Sequence, residues 1–295
     1  MELLQLQYFL AVARLEHMTE AARSLHVTQS SLSKTIQRLE EDLGVPLFDR
    51  TGRNLRLNEF GSRFLCRAQR ALFELEQGKQ ELSDLSSPEH GTIELAVTNA
   101  STLPNILREF RKKHPHTQFH VQMLTTQEMV TLLHRGEVDY CLSSPPIQGD
   151  DIECQIVFID PILVAVPKGH RLADRSSVSL TDLRDEWFVG VKKGYFTRDL
   201  VDTVCKSAGF VPKYVYEGNE PARLSTLVEA EIGIAFIPST AMNSREHIHY
   251  LQVEDHELVR EIALLWHRSR YFSRSARDFR EVVVEYFEAI SKQTN

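Results

Sequence analysis

Residues 19–40 read TEAARSLHVTQSSLSKTIQRLE, two short helical patterns separated by a tight polar turn. Thr19 carries the hydroxyl of an N-cap, able to accept from the free N–H groups of the turn that follows. Glu20 suits the positive end of the helix dipole. Ala21, Ala22 and Leu25 recur at helical spacing, and the small alanines let a second helix come close. His26-Val27-Thr28 forms the corner, with Val27 filling the angle and Thr28 placed to cap the next helix. There Leu32, Ile36 and Leu39 form one apolar stripe (i, i+4, i+7), while Gln29, Ser30, Ser31, Ser33, Lys34 and Gln37 are polar or basic and none is acidic. First turns offering only hydroxyl, amide and ammonium groups suit a phosphate-lined groove. The pattern predicts a helix-turn-helix with its recognition helix at Ser30–Leu43.

Two amphipathic helices and a turn also occur in helical domains that bind no DNA, so the flanking sequence decides. After Gly44, which can take the left-handed C-cap position, the chain reads VPLFDRTGRNLRLNEFG. Two short extended pieces flank a turn at Thr51-Gly52-Arg53-Asn54. A hairpin wing there places Arg50, Arg53 and Arg56 near the flanking backbone, where arginine bonds phosphate bidentately or enters the minor groove.

These residues resemble the LysR-type transcriptional regulators, and the resemblance covers the whole chain. It is carried by Leu6-Gln7-Tyr8-Phe9, Val12-Ala13, Thr19-Glu20-Ala21-Ala22, Leu25, Val27-Thr28-Gln29-Ser30, Leu32-Ser33 and Ile36. It continues through Leu39-Glu40, Leu43-Gly44, Leu47-Phe48, Arg50 and Gly61. Ser30 stands where the family often has proline or alanine, Lys34 where arginine is common, and Asn58 where threonine usually opens the next helix. Lysine offers a point charge in place of a bidentate fork. Asparagine caps as well as threonine.

A chain of 295 residues exceeds one average domain, so two or three are expected. No apolar run approaches bilayer length. The opening MELLQLQYFLAVARLEH lacks the basic leader of a signal peptide, which points to the cytoplasm. Lys and Arg number 34 against 41 Asp and Glu, a net charge of −7. Screening confines each charge to roughly 8–10 Å. The local excess of basic residues between Arg23 and Arg56 therefore governs DNA binding, and the acidic total predicts weak nonspecific affinity.

Cys66, Cys141, Cys154 and Cys205 are isolated, with no CxxC pair, which suits a reducing compartment. Cys205 falls inside a helical pattern and reads as a small buried thiol. His114-Pro115-His116 and His247-Ile248-His249 lack a third ligand, so no metal site is expected. No G-x-G-x-x-G, G-x-x-x-x-G-K, H-E-x-x-H or G-x-S-x-G occurs, and neither a catalytic residue nor a cofactor is expected.

From Asn58 to about Leu85 the periodicity is helical, with Phe64, Ala68, Leu72, Leu75 and Leu82 on one stripe. Ala68, Leu75 and Leu82 are spaced by sevens, and the small N-terminal domain alone is not expected to bury the seam. Pairing with another subunit through Ala68, Leu72, Leu75 and Leu82 is the expected solution, and packing on its own chain the alternative. Ser86-Ser87-Pro88-Glu89-His90-Gly91 breaks the helix as a hinge.

Beyond Gly91 strands and helices alternate: strands at Ile93–Val97, Phe119–Leu124, Val138–Leu142, Ile156–Ile159, Ile162–Val166, Trp187–Val189, Tyr214–Tyr216 and Ile234–Ile237, and helices at Leu103–His114, Glu128–Arg135, Arg198–Ala208 and Ala222–Glu229. This is a βα fold with mainly parallel sheets. Ligands in such sheets sit beyond the strand carboxyl ends at helix N-termini. Three ends qualify: Thr98-Asn99-Ala100-Ser101-Thr102, Thr125-Thr126, and Lys192-Lys193-Gly194-Tyr195-Phe196-Thr197. Their hydroxyls and N–H groups suit a carboxylate, although each hydroxyl alone also reads as an ordinary N-cap. Ser101 and Thr126 are expected to face each other, with Thr197 on the opposite side.

The resemblance implies a winged helix-turn-helix (residues 1–58), a linker and dimerisation helix with hinge (59–90), and an α/β periplasmic-binding-protein-like effector domain (91–295). Its two subdomains span about 91–160 with 268–295, and about 161–267, and these three segments match its cleft-lining positions. Glu231 falls where the family commonly has glycine, so the local turn is expected to differ. The partners implied are double-stranded promoter DNA, a small-molecule effector, other copies of the chain as dimer or tetramer, and RNA polymerase, with no membrane. Thr28, Ser31 and the wing arginines would hold phosphates, while Gln29, Ser30, Ser33, Lys34 and Gln37 would reach bases. The competing class is a solute-binding or enzymatic α/β module carrying an accessory DNA-binding domain.

Overall fold

The computed structural model describes residues 1–51, 54–86, 91–242 and 247–294. Helices α1 (Leu3–Leu15), α2 (Met18–Ser24) and α3 (Gln29–Leu43) close around buried Phe9, Val12, Ala21, Ala22, Leu32, Ile36 and Leu39. Thr28 caps α3, its Oγ1 accepting from the Ser31 N–H at 3.2 Å, so the recognition helix starts at Gln29, one residue before the expected Ser30. Gly44 ends it at φ 72°. The cap of α2 is a correction: Nδ1 of His17 accepts from the Glu20 N–H at 3.4 Å, and Thr19 lies inside the first turn. An imidazole nitrogen one turn before Glu20 does the work expected of the hydroxyl.

Strands β1 (Phe48–Thr51) and β2 (Asn54–Leu57) pair antiparallel, from Phe48↔Leu57 to Thr51↔Asn54. Gly52 and Arg53 lie outside the described residues. The Glu40 carboxylate accepts from the Leu47 N–H at 2.8 Å, tying the wing to α3. A Cβ on Gly61 would sit 2.1 Å from the Leu47 carbonyl oxygen, so the wing approaches the next helix only over glycine.

That helix, α4 (Glu59–Ser86), divides its apolar stripe. Phe64, Leu65, Ala68 and Leu72 pack on the N-terminal core, whereas Leu75 and Leu82 are 52% and 69% exposed. The small N-terminal domain, not expected to bury this stripe, buries its first half and leaves Leu75 and Leu82 uncovered. α1 lies against the first half and covers it.

Beyond residue 91 the elements are β3 (Thr92–Val97), α5 (Leu103–Lys113), β4 (Gln118–Met123), α6 (Thr126–Arg135), β5 (Tyr140–Ser143), β6 (Ile152–Pro167), β7 (Ser177–Val178), β8 (Trp187–Val191), α7 (Phe196–Ser207), β9 (Lys213–Gly218), α8 (Leu224–Glu229), β10 (Ala235–Pro238), β11 (Ile248–Val253), β12 (Val259–His267) and α9 (Arg274–Thr294). One curled sheet runs β4-β3-β5-β12-β6-β11-β7 with β10 also on β6, and β8 pairs with β9. The sheets are not mainly parallel. β3·β4, β3·β5, β7·β11 and β8·β9 are parallel, while β5·β12, β6·β12, β6·β10 and β6·β11 are antiparallel. Parallel pairing needs a long crossover connection, usually a helix, and among the described residues no α-helix separates β10, β11 and β12.

The strands read at Ile156–Ile159 and Ile162–Val166 are one strand. Asp160-Pro161 resembles a breaker, yet β6 passes straight through it, pairing with β12 before and with β10 and β11 after. One core gathers Leu95, Ile106, Phe110, Tyr140, Phe158, Leu264 and Phe279 around β3, α5 and α9. A second gathers Val164, Leu172, Leu180, Phe188, Val201, Cys205 and Leu251. β6 and β12 thus cross between two subdomains.

Glu231 adopts the left-handed conformation at φ 58°, so the turn keeps a glycine-like shape without glycine. Left-handed backbone costs a non-glycine residue about 1–2 kcal/mol, against roughly 0.5–1 kcal/mol for the extra freedom of unfolded glycine. Glu231→Gly is therefore expected to raise stability by about 0.5–1 kcal/mol in urea titration. A loss of stability would show that the Glu231 side chain contributes more than the turn costs.

Candidate DNA interface and effector cleft

Apart from the wing arginines, the residues expected to meet DNA lie at the start and along the first turns of α3. Thr28, Gln29, Ser30, Ser31, Lys34 and Gln37 are exposed and Ser33 is half-buried. Thr28 Oγ1 lies 3.2 Å from Ser30 Oγ, and Gln37 Nε2 donates to Glu41 at 2.9 Å, so a base contact by Gln37 must replace that bond. Arg38, also exposed, adds a cation that the motif did not single out. Acids at the far end are engaged elsewhere: Glu40 holds the wing, and Asp42 lies 3.0 Å from the N-terminal ammonium, which holds its carboxyl below the usual range. Arg50 takes its place in β1, opposite Leu55. Arg53 lies outside the described residues.

Between the subdomains lies a cleft of about 620 Å³. Its first wall is polar: Thr98, Asn99, Thr125, Thr126 and Ser144, with Met123 and Leu124 beside them. Thr125 caps α6 in a capping box, exchanging bonds with Glu128, while Thr126 opens the helix. The opposite wall is apolar and aromatic, with Val189, Tyr195, Phe196, Val201, Tyr214 and Phe236, and with Gly194 and Thr197 at the start of α7.

Of the sequence-derived residues, Thr98, Asn99, Thr126, Gly194, Tyr195, Phe196 and Thr197 meet in this cleft, while Ala100, Ser101 and Thr102 do not line it. Asn99 Oδ1 accepts from the Ser101 N–H at 2.7 Å. This side-chain turn directs the chain outward, so Ser101 is exposed, Ala100 packs on the first core, and Thr102 is buried at the start of α5 without a side-chain cap bond. Ser101 and Thr126 therefore do not face each other. Thr98 Oγ1 instead accepts from the Ser144 N–H at 3.0 Å, and Ser144 Oγ is shut from solvent without a partner.

Two buried arginines that sequence reasoning missed complete the walls. Arg260 donates to Asp160 at 2.9 Å and to Thr240 at 3.1 Å. Arg198 lies 3.5 Å over the Tyr214 ring and bonds Asp202, Glu217 and the Val191 carbonyl. Burial, then the Asp202 charge, pushes the Tyr214 hydroxyl far up, so it stays neutral and donates to Asp202 at 3.0 Å. Both guanidiniums are neutralised within the protein. Lys193 lines the rim, exposed to solvent. The arginines, Ser144 and Tyr214 follow no local motif. They lie far apart in sequence and only the fold assembles them.

The remaining candidates fall elsewhere. Burial pushes the Cys205 thiol up to about 12, with Asp202 adding to the effect. His114 stacks on Phe110 and pairs with Asp278 at 3.2 Å. Among the described residues no three His, Cys, Asp or Glu side chains converge as a metal site, and no helix is long and apolar enough to cross a membrane.

Residues 3–62 match the profile of the bacterial regulatory helix-turn-helix protein, lysR family, and residues 86–288 that of the LysR substrate binding domain. The transcriptional dual regulator GltC of Bacillus subtilis (strain 168) is 32% identical over 298 residues, 99% of either chain. The uncharacterized HTH-type transcriptional regulator YybE of the same organism is 34% identical over 290 residues, 97% of this chain and 99% of its own. A full-length OxyR variant from Pseudomonas aeruginosa covers 97% of this chain and 94% of its own at a TM-score of 0.68 and 21% identity. CbnR complexed with its target DNA covers 97% and 100% at a TM-score of 0.57 and 24% identity. The two structures share the fold, from helix-turn-helix to the two-lobed α/β unit, and the sequence relatives extend the likeness along the whole chain. The chain belongs to the LysR family of DNA-binding transcriptional regulators, with an effector-binding domain behind its helix-turn-helix.

Proposed function

We propose that this regulator responds to a small organic anion with an apolar body, bound between its subdomains. The observation that carries the reading is the contrast between the two walls of the cleft. The first wall offers the hydroxyls of Thr98 and Thr126 and the opening N–H groups of α6, a helix end suited to negative charge. The second wall offers Val189, Phe196 and Phe236, suited to hydrocarbon or an aromatic ring. A solute-binding or enzymatic role with accessory DNA binding has no observation in its favour.

In this reading residues 1–58 read DNA, 59–90 link and pair subunits, and 91–295 sense the effector. α3 enters the major groove of promoter DNA, where Gln29, Ser30, Ser33, Lys34 and Gln37 reach base edges. Thr28, Ser31, Arg50 and Arg53 hold phosphates. The exposed Leu75 and Leu82 meet a second copy of the chain, while Ala68 and Leu72 back that contact from within. A dimer or tetramer in the cytoplasm, contacting RNA polymerase at the promoter, fits a family of transcriptional regulators.

Gln29→Ala is expected to cost about 1–3 kcal/mol on the chain's own upstream operator and to leave binding to random DNA unchanged. Gel-shift titration of both DNAs checks this, and equal losses on the two would remove Gln29 from base readout. Leu75→Asp adds a charge where the side chain is already half-exposed in a single chain, so folding is expected to survive. Burying that charge unpaired in an interface is strongly unfavourable, and smaller oligomers are expected in sedimentation. Oligomers of wild-type size would rule out the seam.

A thermal-shift screen of aliphatic and aromatic carboxylates is expected to find a ligand, because a molecule bound only to the folded state raises Tm. Loss of one hydroxyl contact in Thr126→Val is then expected to weaken that carboxylate about three- to tenfold, on the order of 1 kcal/mol. Ser101→Ala should change its affinity less than twofold. Isothermal titration decides, and the opposite ranking of the two variants would move the site out of the cleft.

A further inference from the structure

α4 is gripped on two faces by two different units. Phe64, Ala68 and Leu72 belong to the N-terminal core. Arg70, Phe73 and Gln77, at i, i+3 and i+7, form a separate stripe that meets the effector domain. Arg70 reaches Asp151 at 3.7 Å, Phe73 packs on His267 with ring centroids 4.8 Å apart, and Gln77 Oε1 accepts from the Tyr271 N–H at 2.6 Å. Phe73 is almost fully buried although its helix leaves that domain behind.

The seat for Phe73 is built by glycine. A Cβ on Gly136 would lie 2.0 Å from the Phe73 ring, and the residue's φ of +66° independently disfavours any side chain. The notch is fixed to its sheet. Arg270 donates to the Gly136 carbonyl at 2.6 Å and to Asp139 at 2.6 and 2.9 Å, and Asp139 in turn accepts from the Glu94 N–H at 2.7 Å. Gly136 is also the C-cap of α6, whose N-terminal residues Thr125 and Thr126 line the cleft. One helix, about 15 Å long at 1.5 Å per residue, therefore has its first turn at the effector site and its last against the linker helix.

The contact is not fully satisfied. Gln77, only 6% exposed, leaves Nε2 without a hydrogen-bond partner, and Arg135 Nε beside the notch is likewise shut from solvent and unbonded. Buried donors without acceptors are costly, so a second seating of α4 that paired them would compete with this one. Packed contacts of this kind switch between discrete seatings and do not deform smoothly.

We propose that Phe73 in the Gly136 notch, with Gln77 on the Tyr271 amide, is the two-position joint through which α6 reports the state of the cleft to α4 and the DNA-binding helices. The proposal rests on the effector-cleft reading, and its test needs no effector. Thr126→Trp fills the cleft at the start of α6 and serves as the probe. Hydrogen–deuterium exchange is followed at residues 71–79 of α4 and at 133–137, in the full chain. Thr126→Trp is expected to change exchange at both sites at least fivefold. Adding Phe73→Leu, which keeps an apolar side chain but not the ring, or Gln77→Leu, which removes the bond at similar volume, is expected to abolish the change at 71–79 and preserve it at 133–137. A change confined to 133–137 in the otherwise wild-type chain overturns the joint while leaving the cleft reading intact. No change at either site overturns the joint as well, and the carboxylate screen then judges the cleft separately. A change at 71–79 that survives both double variants shows that coupling takes another route and also overturns the proposal.

Discussion

The two strands that cross between the subdomains are tied together by one buried ion pair. Asp160 and Arg260 stand opposite each other in the β6·β12 register, 2.9 Å apart, with side chains 0% and 7% exposed. A carboxylate is tolerable there only because donors saturate it: Arg260, Ser239 Oγ at 2.7 Å, and Thr240 through its N–H at 3.1 Å and Oγ1 at 2.6 Å. Removing one member of such a pair typically costs about 3–5 kcal/mol, since the other charge stays buried. The pair sits where the two crossing strands pass between subdomains, and Ser239 and Thr240 belong to the turn after β10. The same interaction thus joins the strands and pins the inner rim of the cleft.

That constraint also decides what the cleft can recognise. With Arg260 committed to Asp160, and Arg198 to Asp202, Glu217 and Tyr214, neither guanidinium brings uncompensated charge to a ligand. Under the proposal that the effector is an anion, its recognition falls to hydroxyls, main-chain N–H groups and the exposed Lys193. The hydroxyls and N–H groups are neutral donors that select by geometry, each contributing modestly, while Lys193 adds a solvent-screened charge from the rim. The DNA face solves a related problem with the opposite exposure. Its polar groups lie on the surface of α3; of the acids in the last turn, Glu40 is bonded to the wing and Asp42 to the N-terminus, while Glu41 stays on the exposed side against Gln37.

How far the sequence could be read depended on how local each cause was. The Leu32, Ile36 and Leu39 stripe, the Thr28 cap and the Gly44 stop act within one helix, and each is visible in its own few residues. Thr19 misled because a hydroxyl is the commoner cap, and nothing local shows that His17 turns its ring inward over the first turn. Asp160-Pro161 misled more deeply. It carries every mark of a strand end, and the partner that keeps Asp160 inside a strand stands a hundred residues away. Ser101 resembled its neighbours Thr98 and Asn99, and only the Asn99 side-chain turn separates residues that line the cleft from those facing away. Leu72 and Leu75, close on one stripe, meet different fates because only Leu72 packs on the N-terminal core, and Leu75 stays half-exposed.

The asymmetry of the cleft walls has a consequence for how a small ligand could act on so large an assembly. Moving a two-state equilibrium from 1:99 to 99:1 requires about 5.5 kcal/mol of differential binding. A ligand touching both walls equally in both states supplies none of it. One held by the hydroxyls of Thr98 and Thr126 in the open form, which reaches Val189, Phe196 and Phe236 only on closure, gains its apolar burial in one state alone. At roughly 25 cal/mol per Å², about 200 Å² of newly buried apolar surface yields about 5 kcal/mol. A single ring or branched chain against that wall offers an area of this order. In the proposed reading, polar contacts on the first wall would set which anion enters, and apolar contacts on the second how strongly it shifts the protein. The two functions are separable in the walls because β6 and β12, locked by Asp160 and Arg260, keep the subdomains distinct.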